Sequence, residues 1–219
     1  IEMHVVHHNN FEINQIASEH MKISREAVIL DKFKLITPRS TIQNSIALYF
    51  SGFDDFKSFP DSVRINVPAA NINLYLRDLL AIAPGLQNVD FFYTNAEKEI
   101  RLQGNINGYV NRLKVSGMNA EMGGVKLIGN FRSHDLAIPG SQLISLDLTN
   151  STFSSRSLKD IFPKMKIPPE FDRLGRVSFT GKYDGYPNDF VAFGTFNTAL
   201  GKVTLDLNLN TVHGIAKGK

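Results

Sequence analysis

The 219-residue sequence predicts an all-β chain built as a repeat and interrupted by two short helices. Three observations carry this expectation. Apolar and polar residues alternate in run after run, glycines recur at a fixed spacing in two stretches, and only two short segments have helical spacing. The clearest alternation is Val203-Thr204-Leu205-Asp206-Leu207-Asn208-Leu209-Asn210, four apolar residues interleaved with four polar ones. A period of two sends alternate side chains to opposite faces, so this strand has one apolar and one wet face.

Taken in order, Val28 to Ile36 and Thr41 to Phe50 read as a strand pair broken at Pro38. Val63-Arg64-Ile65-Asn66-Val67 alternates next. Leu74 to Ile82 has helical spacing and is expected to stop at Pro84-Gly85, because proline lacks an N–H and clashes with the preceding turn. Ile100, Leu102 and Ile106 mark the following strand, then Leu113 with Val115, Val125 with Leu127, and Ile144, Leu146 and Leu148. A second helix is expected over Ser157 to Phe162, ending at Pro163. Val177 and Phe179 open another strand, and Val203, Leu205, Leu207 and Leu209 mark the last. Asn107-Gly108 and Asp184-Gly185 are expected at tight hairpin turns, where positive φ is needed, with Pro187 loosening the second. Met122-Gly123-Gly124 and Leu200-Gly201 mark the next turn in each stretch.

The repeat is visible without the strands. Gly104 and Gly181 are 77 residues apart, and the same offset lays Gly108-Tyr109 on Gly185-Tyr186, Asn111 on Asn188, Gly117 on Gly194 and Gly124 on Gly201. Beyond the last pair the register slips by one, as a β-bulge would produce, so that Val125-Lys126-Leu127 lies over Val203-Thr204-Leu205. Leu76 to Leu79 lies over Leu158 to Ile161 at an offset of 82. Each unit is expected to run strand, short helix, then about four strands. Residues 1–55 are expected to be the end of a preceding β-repeat. Residues 56–135 form a unit with its helix near 74–82, and residues 136–219 a second with its helix near 157–162, in one continuous groove. The chain opens at Ile1 and is expected to be a segment of something longer, with any anchor outside it.

Composition excludes several function classes. The 24 basic and 21 acidic residues are mixed along the chain, for a net charge of +3, without the clustered Lys and Arg of a nucleic-acid footprint. The absence of cysteine removes a disulfide scaffold, a zinc ribbon and a thiol nucleophile. No run of about 18 apolar residues can span a bilayer as a helix. His4, His7 and His8, with His20 further on, would need to converge to hold a metal, and no carboxylate joins them at a useful spacing. Asp54-Asp55 reads as a loop between aromatic anchors, and Asp184 to Asp189 as a turn. Asn150-Ser151-Thr152 matches a glycosylation acceptor by chance. Neither a nucleophile elbow nor a phosphate-binding glycine loop occurs. The chain is expected to be no enzyme, with no cofactor and no metal.

The apolar strand faces must be covered, by a second sheet or by the same sheet curling over. In-strand glycines Gly104, Gly117, Gly181 and Gly194 permit bends, and their recurrence argues for a repeated one. Three segments resemble the periplasmic β-repeat region of AsmA-like proteins, in particular the TamB-type proteins of Bacteroidota. They are Phe33 to Ile42 with its Thr37-Pro38-Arg39-Ser40, the helix Ser157 to Pro163, and Val177 to Gly185 followed by Phe193 to Gly201. The resemblance implies an elongated, curled β-sheet forming a taco-like groove open along one side. It also implies a periplasmic place within an inner-membrane-anchored protein, phospholipid acyl chains as cargo, and an Omp85-type outer-membrane partner. On that expectation the lining is Ile100, Leu102, Leu113, Val115, Val125, Leu127, Ile144, Leu146, Leu148, Val177, Phe179, Val203, Leu205, Leu207 and Leu209. The alternatives are a closed β-sandwich core in an adhesin-like module, or a scaffold that docks an assembly factor through a strand edge. An excised groove segment is further expected to self-associate through its exposed edges.

Overall fold

The computed structural model describes residues 2–6, 12–82, 84–186, 189–210 and 215–218, without the side chains of 2–6, 82, 84, 209–210 and 215–218. One antiparallel sheet of 14 strands holds every strand described. The N-terminal part contributes β1 (Glu2–Val6), β2 (Glu12–Ala17), β3 (His20–Ile23), β4 (Ala27–Ile36) and β5 (Thr41–Tyr49). A 3-10 turn (Phe53–Ser58) and α1 (Phe59–Ser62) lead to β6 (Arg64–Tyr75). Then come α2 (Leu76–Ile82), a second 3-10 turn (Pro84–Asn88) and α3 (Asp90–Thr94). The meander continues as β7 (Glu99–Tyr109), β8 (Arg112–Met122), β9 (Val125–His134) and β10 (Leu143–Ser154). After α4 (Ser155–Ile161) and a third 3-10 turn (Pro169–Leu174) it ends in β11 (Arg176–Tyr186), β12 (Asp189–Thr198), β13 (Gly201–Asn210) and β14 (Ile215–Gly218).

From β4 to β14 each strand pairs with its neighbour in sequence, and the sheet is not closed into a barrel. β2 and β3 both lie along β4, one against Lys34–Ile36 and the other against Val28–Asp31. They act as a single strand broken at Ser18-Glu19.

The element order twice runs one strand, a helical insert and three strands, where about four strands were expected after the insert. β6 and β10 precede the inserts; β7, β8 and β9 correspond to β11, β12 and β13. Two expected hairpin turns are displaced. Gly108 is inside β7, opposite both Ile65 and Leu113, and the turn falls at Val110-Asn111. Gly185 is likewise inside β11, opposite Ile144 and Phe190; the turn beyond it, with Asn188, lies outside the described residues. These glycines serve close backbone approach: a Cβ at Gly108 would sit 2.3 Å from the Arg112 carbonyl oxygen, and one at Gly185 2.4 Å from that of Asp189. The bulge in β8 beside Gly117 (φ 59°) makes β8 one residue longer than β12, so by strand register Leu127 corresponds to Val203, an offset of 76 rather than the 78 that laid it on Leu205. Gly201 opens β13, so that turn is Ala199-Leu200.

The bend has a physical origin that alternation does not reveal. Register shifts occur within every strand pair from β4 to β11. At them stand left-handed residues that are not glycine: Lys32, Ala69 and Asn150, with φ of 47°, 51° and 49°. A bulge breaks the ladder and leaves an N–H without its partner strand. Here a side chain from the next strand accepts that N–H each time. Lys32 donates to Ser45 Oγ (3.3 Å), Ala69 to Asn105 Oδ1 (2.9 Å), Gly117 to Asn130 Oδ1 (3.2 Å) and Asn150 to Thr180 Oγ1 (2.9 Å). Buried Asn44 adds a clamp, donating to the Ala69 carbonyl and accepting from Asn71 N–H. These side chains hold a crease across the sheet. Asn105→Ala is expected to lower stability by about 0.5–1 kcal/mol, because the exposed Ala69 N–H exchanges its side-chain acceptor for water, measurable by urea denaturation with an unchanged m-value. Between β11, β12 and β13 no shift occurs, so the second unit repeats the bulge of Ala69 at Asn150 of β10 but not that of Gly117 at its aligned partner Gly194. Gly181 and Gly194 face each other there for steric reasons, since a Cβ on either would come within 2.6 Å of backbone or of the Phe179 ring.

Candidate functional site

The site is a face. Residues directly opposite one another in paired strands share a face, so the register tracks it across the sheet. Val67, Ile106, Val115, Phe131, Leu146, Tyr183, Ala192 and Leu207 form one row from β6 to β13. Ile16, Leu35, Ile42, Ile72, Leu102, Ala120 and Leu127 form a second from β2 to β9, and beyond the β10 bulge Ser151, Phe179, Phe196 and Val203 continue it. The other expected lining residues fall on this same face. Ile100 stands opposite Leu74, Val125 opposite Met122, Val177 opposite Phe153, and Leu205 opposite Gly194. Leu148 lies between Gly129 and Gly181, Ile144 opposite Gly185, and Leu113 opposite Gly108. Leu209 pairs with Phe190 by backbone register, and its side chain lies outside the described residues.

The reverse face is polar. Thr41, Asn73, Arg101, Glu121, Lys126, Thr152, Ser178, Asn197 and Lys202 form an unbroken ladder from β5 to β13. Elsewhere on this face Val191 and Phe193 of β12 stand out as exposed apolar side chains. Surface depressions lie at this wet face and its edge, lined by Asn71, Arg101, Gln103 and Glu121 and by Lys98, Glu99 and Asp160.

The apolar face is not uniformly open. At its centre Val115, Leu148, Val177 and Phe179 are only 3–7 % exposed, and Val115, Leu148 and Phe179 belong to a single core cluster. Helices cover only one end of that face. There Leu76 of α2 and Ile161 of α4 pack on the β8–β9 hairpin at Met122 and Val125, with Phe91, Phe92 and Phe153 around them. The remaining central burial must come from the sheet folding over its own apolar side about the crease, because no other layer exists among the described residues. At the β13 end the face opens, and Val203 and Leu205 are 46 % and 43 % exposed. The lining therefore divides into a filled centre and an open end, where a uniform trough was expected.

Both rims are built by inserts. At one rim Phe50, Phe53, Phe56 and Phe59 stack in sequence with ring centroids 5.0–6.4 Å apart. At the other, the β4–β5 turn holds α2: the Thr37 and Ser40 hydroxyls both donate to Asp78 Oδ2 at 2.5 Å, and Ser40 Oγ accepts from Tyr75 N–H. The two helical inserts are joined through fully buried Asn95, which donates to the carbonyls of Phe91 and Ile161. Neither α3 nor the role of Asn95 is legible in the sequence, because a five-residue helix has too few turns to carry a period.

Tyr183 is the polar exception in the first apolar row. Burial, then the Asp184 carboxylate beside it, pushes its phenol up to about 12, and its hydroxyl donates to the Tyr186 carbonyl at 3.1 Å. A phenol whose pKa is raised on folding contributes stability that is complete below its unfolded value near 10 and lost as pH rises through about 12. Stability is therefore expected to fall between pH 10 and 12, and Tyr183→Phe to remove that fall. Ultraviolet absorbance of tyrosinate, followed alongside denaturation, checks it.

No catalytic constellation assembles among the described residues. Asp54 pairs with Lys57 (2.6 Å) and Asp55 accepts the Ser51 N–H (2.7 Å), as a loop requires. Asp184 accepts from Ser145. Ser151 is fully buried, with its hydroxyl on the backbone of Ile128. No group of three His, Cys, Asp or Glu gathers to hold a metal among the described residues; the side chains of His4, His7 and His8 lie outside them. None of the described helices is long and apolar enough to cross a membrane. Comparison with protein-family models, curated proteins and solved structures returns no match.

Proposed function

We propose that this chain is a stretch of a longer apolar β-groove that conducts phospholipid acyl chains between two membranes. On this reading it is a non-enzymatic, periplasmic part of an inner-membrane-anchored protein serving outer-membrane biogenesis. The observation that carries the reading is the row from Val67 to Leu207, apolar but for the Tyr183 hydroxyl, crossing eight strands on one face while the other face is polar except at Val191 and Phe193. Moving an acyl chain from a bilayer into water costs about 0.8 kcal/mol per CH₂, so roughly 10 kcal/mol for a dozen. A dry apolar path removes most of that cost and needs neither a catalytic group nor a cofactor. Entry is at the β13 end, where Val203 and Leu205 are already half exposed. Passage past β7 to β11 requires the two flanks of the sheet to part about the crease.

A second reading is favoured by the filled centre: a non-enzymatic β-scaffold that docks an outer-membrane assembly protein of the Omp85 type through a strand edge. β1 and β14 each offer one unpaired edge among the described residues, and such edges template pairing with another chain, including a second copy of this one. Native mass spectrometry of the purified chain separates the two. Phospholipid adducts that survive gentle desolvation are expected for the groove; a lipid-free chain that self-associates or takes up strand-forming peptides contradicts it.

A further inference from the structure

The segment between β10 and β11 carries charge and apolar exposure together. Residues 155–176 hold six basic and three acidic residues, an excess equal to the +3 of the entire chain. Lys159 pairs with Asp172 at 3.2 Å, Lys164 with Asp90 at 2.7 Å, and Asp160 with Lys98 at 3.4 Å. Among the described residues that leaves Lys166, Arg173 and Arg176 exposed and without an ion pair, against one such acid, Glu170. Arg156 makes none either, but after the Ser155 and Lys159 hydrogen bonds it is near enough to Asp172 to help hold that carboxyl below the usual range.

Among these cations stand large apolar side chains in water. Phe162, Met165 and Phe171 are 40–50 % exposed, and Tyr93 of the adjoining α3 more so. They are held there. The Ser154–Ser157 capping box starts α4, Asp172 accepts from Ser155 and Lys159 and so ties the third 3-10 turn back to α4, and Phe162 packs on Phe91 with centroids 5.7 Å apart. Pro163, Pro168 and Pro169 restrict the loop between. A presented loop with aromatic and methionine side chains set among unpaired cations is the chemistry of a surface that dips into an interface of anionic headgroups. The Lys and Arg answer the headgroup charge, and the apolar side chains answer the acyl boundary beneath.

We propose that the α4–β11 insert is a contact site for the surface of an anionic bilayer, formed by Phe162, Met165 and Phe171 with Lys166 and Arg173. The site stands on the outside of one rim and does not depend on whether lipid travels along the apolar face. Its function is to seat the rim of the sheet against a membrane.

Co-sedimentation with vesicles tests it. The chain is expected to bind phosphatidylcholine–phosphatidylglycerol vesicles and to bind phosphatidylcholine alone far more weakly. Lys166→Glu with Arg173→Glu is expected to cut that binding roughly thirtyfold, with an unchanged circular dichroism spectrum because both positions are solvent-exposed. Phe162→Ser with Met165→Ser is expected to weaken binding while leaving its salt dependence in place. Equal binding to both vesicle types, or full binding by the charge-reversed variant, overturns the proposal. So does capture of polyglutamate in preference to vesicles, which assigns the patch to an acidic polypeptide. Lipid adducts in native mass spectrometry are unaffected by these variants, so failure here and failure of the groove reading are separable.

Discussion

Gly129→Val is expected to unfold the chain or to lower its stability by more than about 4 kcal/mol. Gly129 lies in β9 on the crease with φ 147°, a backbone region that residues with a side chain seldom enter, and forcing one there costs of order 1–3 kcal/mol. A Cβ would also sit 2.0 Å from the Asp147 carbonyl oxygen, an atom fixed in the β9–β10 ladder, so the contact cannot be relieved by a side-chain rotation. Separating the two strands to make room would break the pairing on either side of Leu148, which faces Gly129 and lies in the core. Gly117→Ala supplies the contrast. Its Cβ would meet nothing within 4 Å, so only the cost of φ 59° applies, about 1 kcal/mol. Urea denaturation of the two variants reads the difference, and equal stabilities would mean that the crease does not depend on close approach at Gly129.

Leu148→Asp and Leu205→Asp are expected to part company. Leu148 is 5 % exposed between two glycines, where a carboxylate would lose its water and gain no partner. Truncation alone at such a site costs about 2–5 kcal/mol, and an unpaired buried charge adds to it, so Leu148→Asp is expected to abolish folding. Leu205 lies in the same row with 43 % of its surface in water, so its aspartate stays hydrated and the fold is expected to survive. Leu205→Asp is nonetheless expected to lose lipid capture, because the charge stands in the path an acyl chain would take. Folded Leu205→Asp with undiminished lipid adducts contradicts the assignment of that face.

Alternation reveals which side chains share a face and says nothing of what covers them. Val203 and Val177 have the same pattern in the sequence, yet one is half exposed and the other buried, because coverage depends on how far the sheet curls at each strand. The curl itself is carried by residues without a periodic signature. Ala69 and Lys32 have no composition cue for left-handed backbone, and their bulges become intelligible only beside Asn105 and Ser45 of the next strand. Glycine spacing identified the repeated unit, but equivalent glycines serve different ends: Gly117 is required by φ, Gly194 by contact with Gly181. The asparagine–glycine cue misplaced a hairpin by three residues because Asn107 and Gly108 both have partners in β6 and β8, and a paired residue stays in its strand.

Site-specific photo-crosslinking in cells along β13 tests the groove most directly. Probes at Val203 and Leu205 face the apolar side, whereas Thr204 and Asp206 face the polar one, so four neighbouring positions differ only in face. The groove predicts phospholipid captured at Val203 and Leu205 and none at Thr204 and Asp206. Crosslinks at all four positions to protein alone would contradict it and leave this face as the partner-covered core of a scaffold.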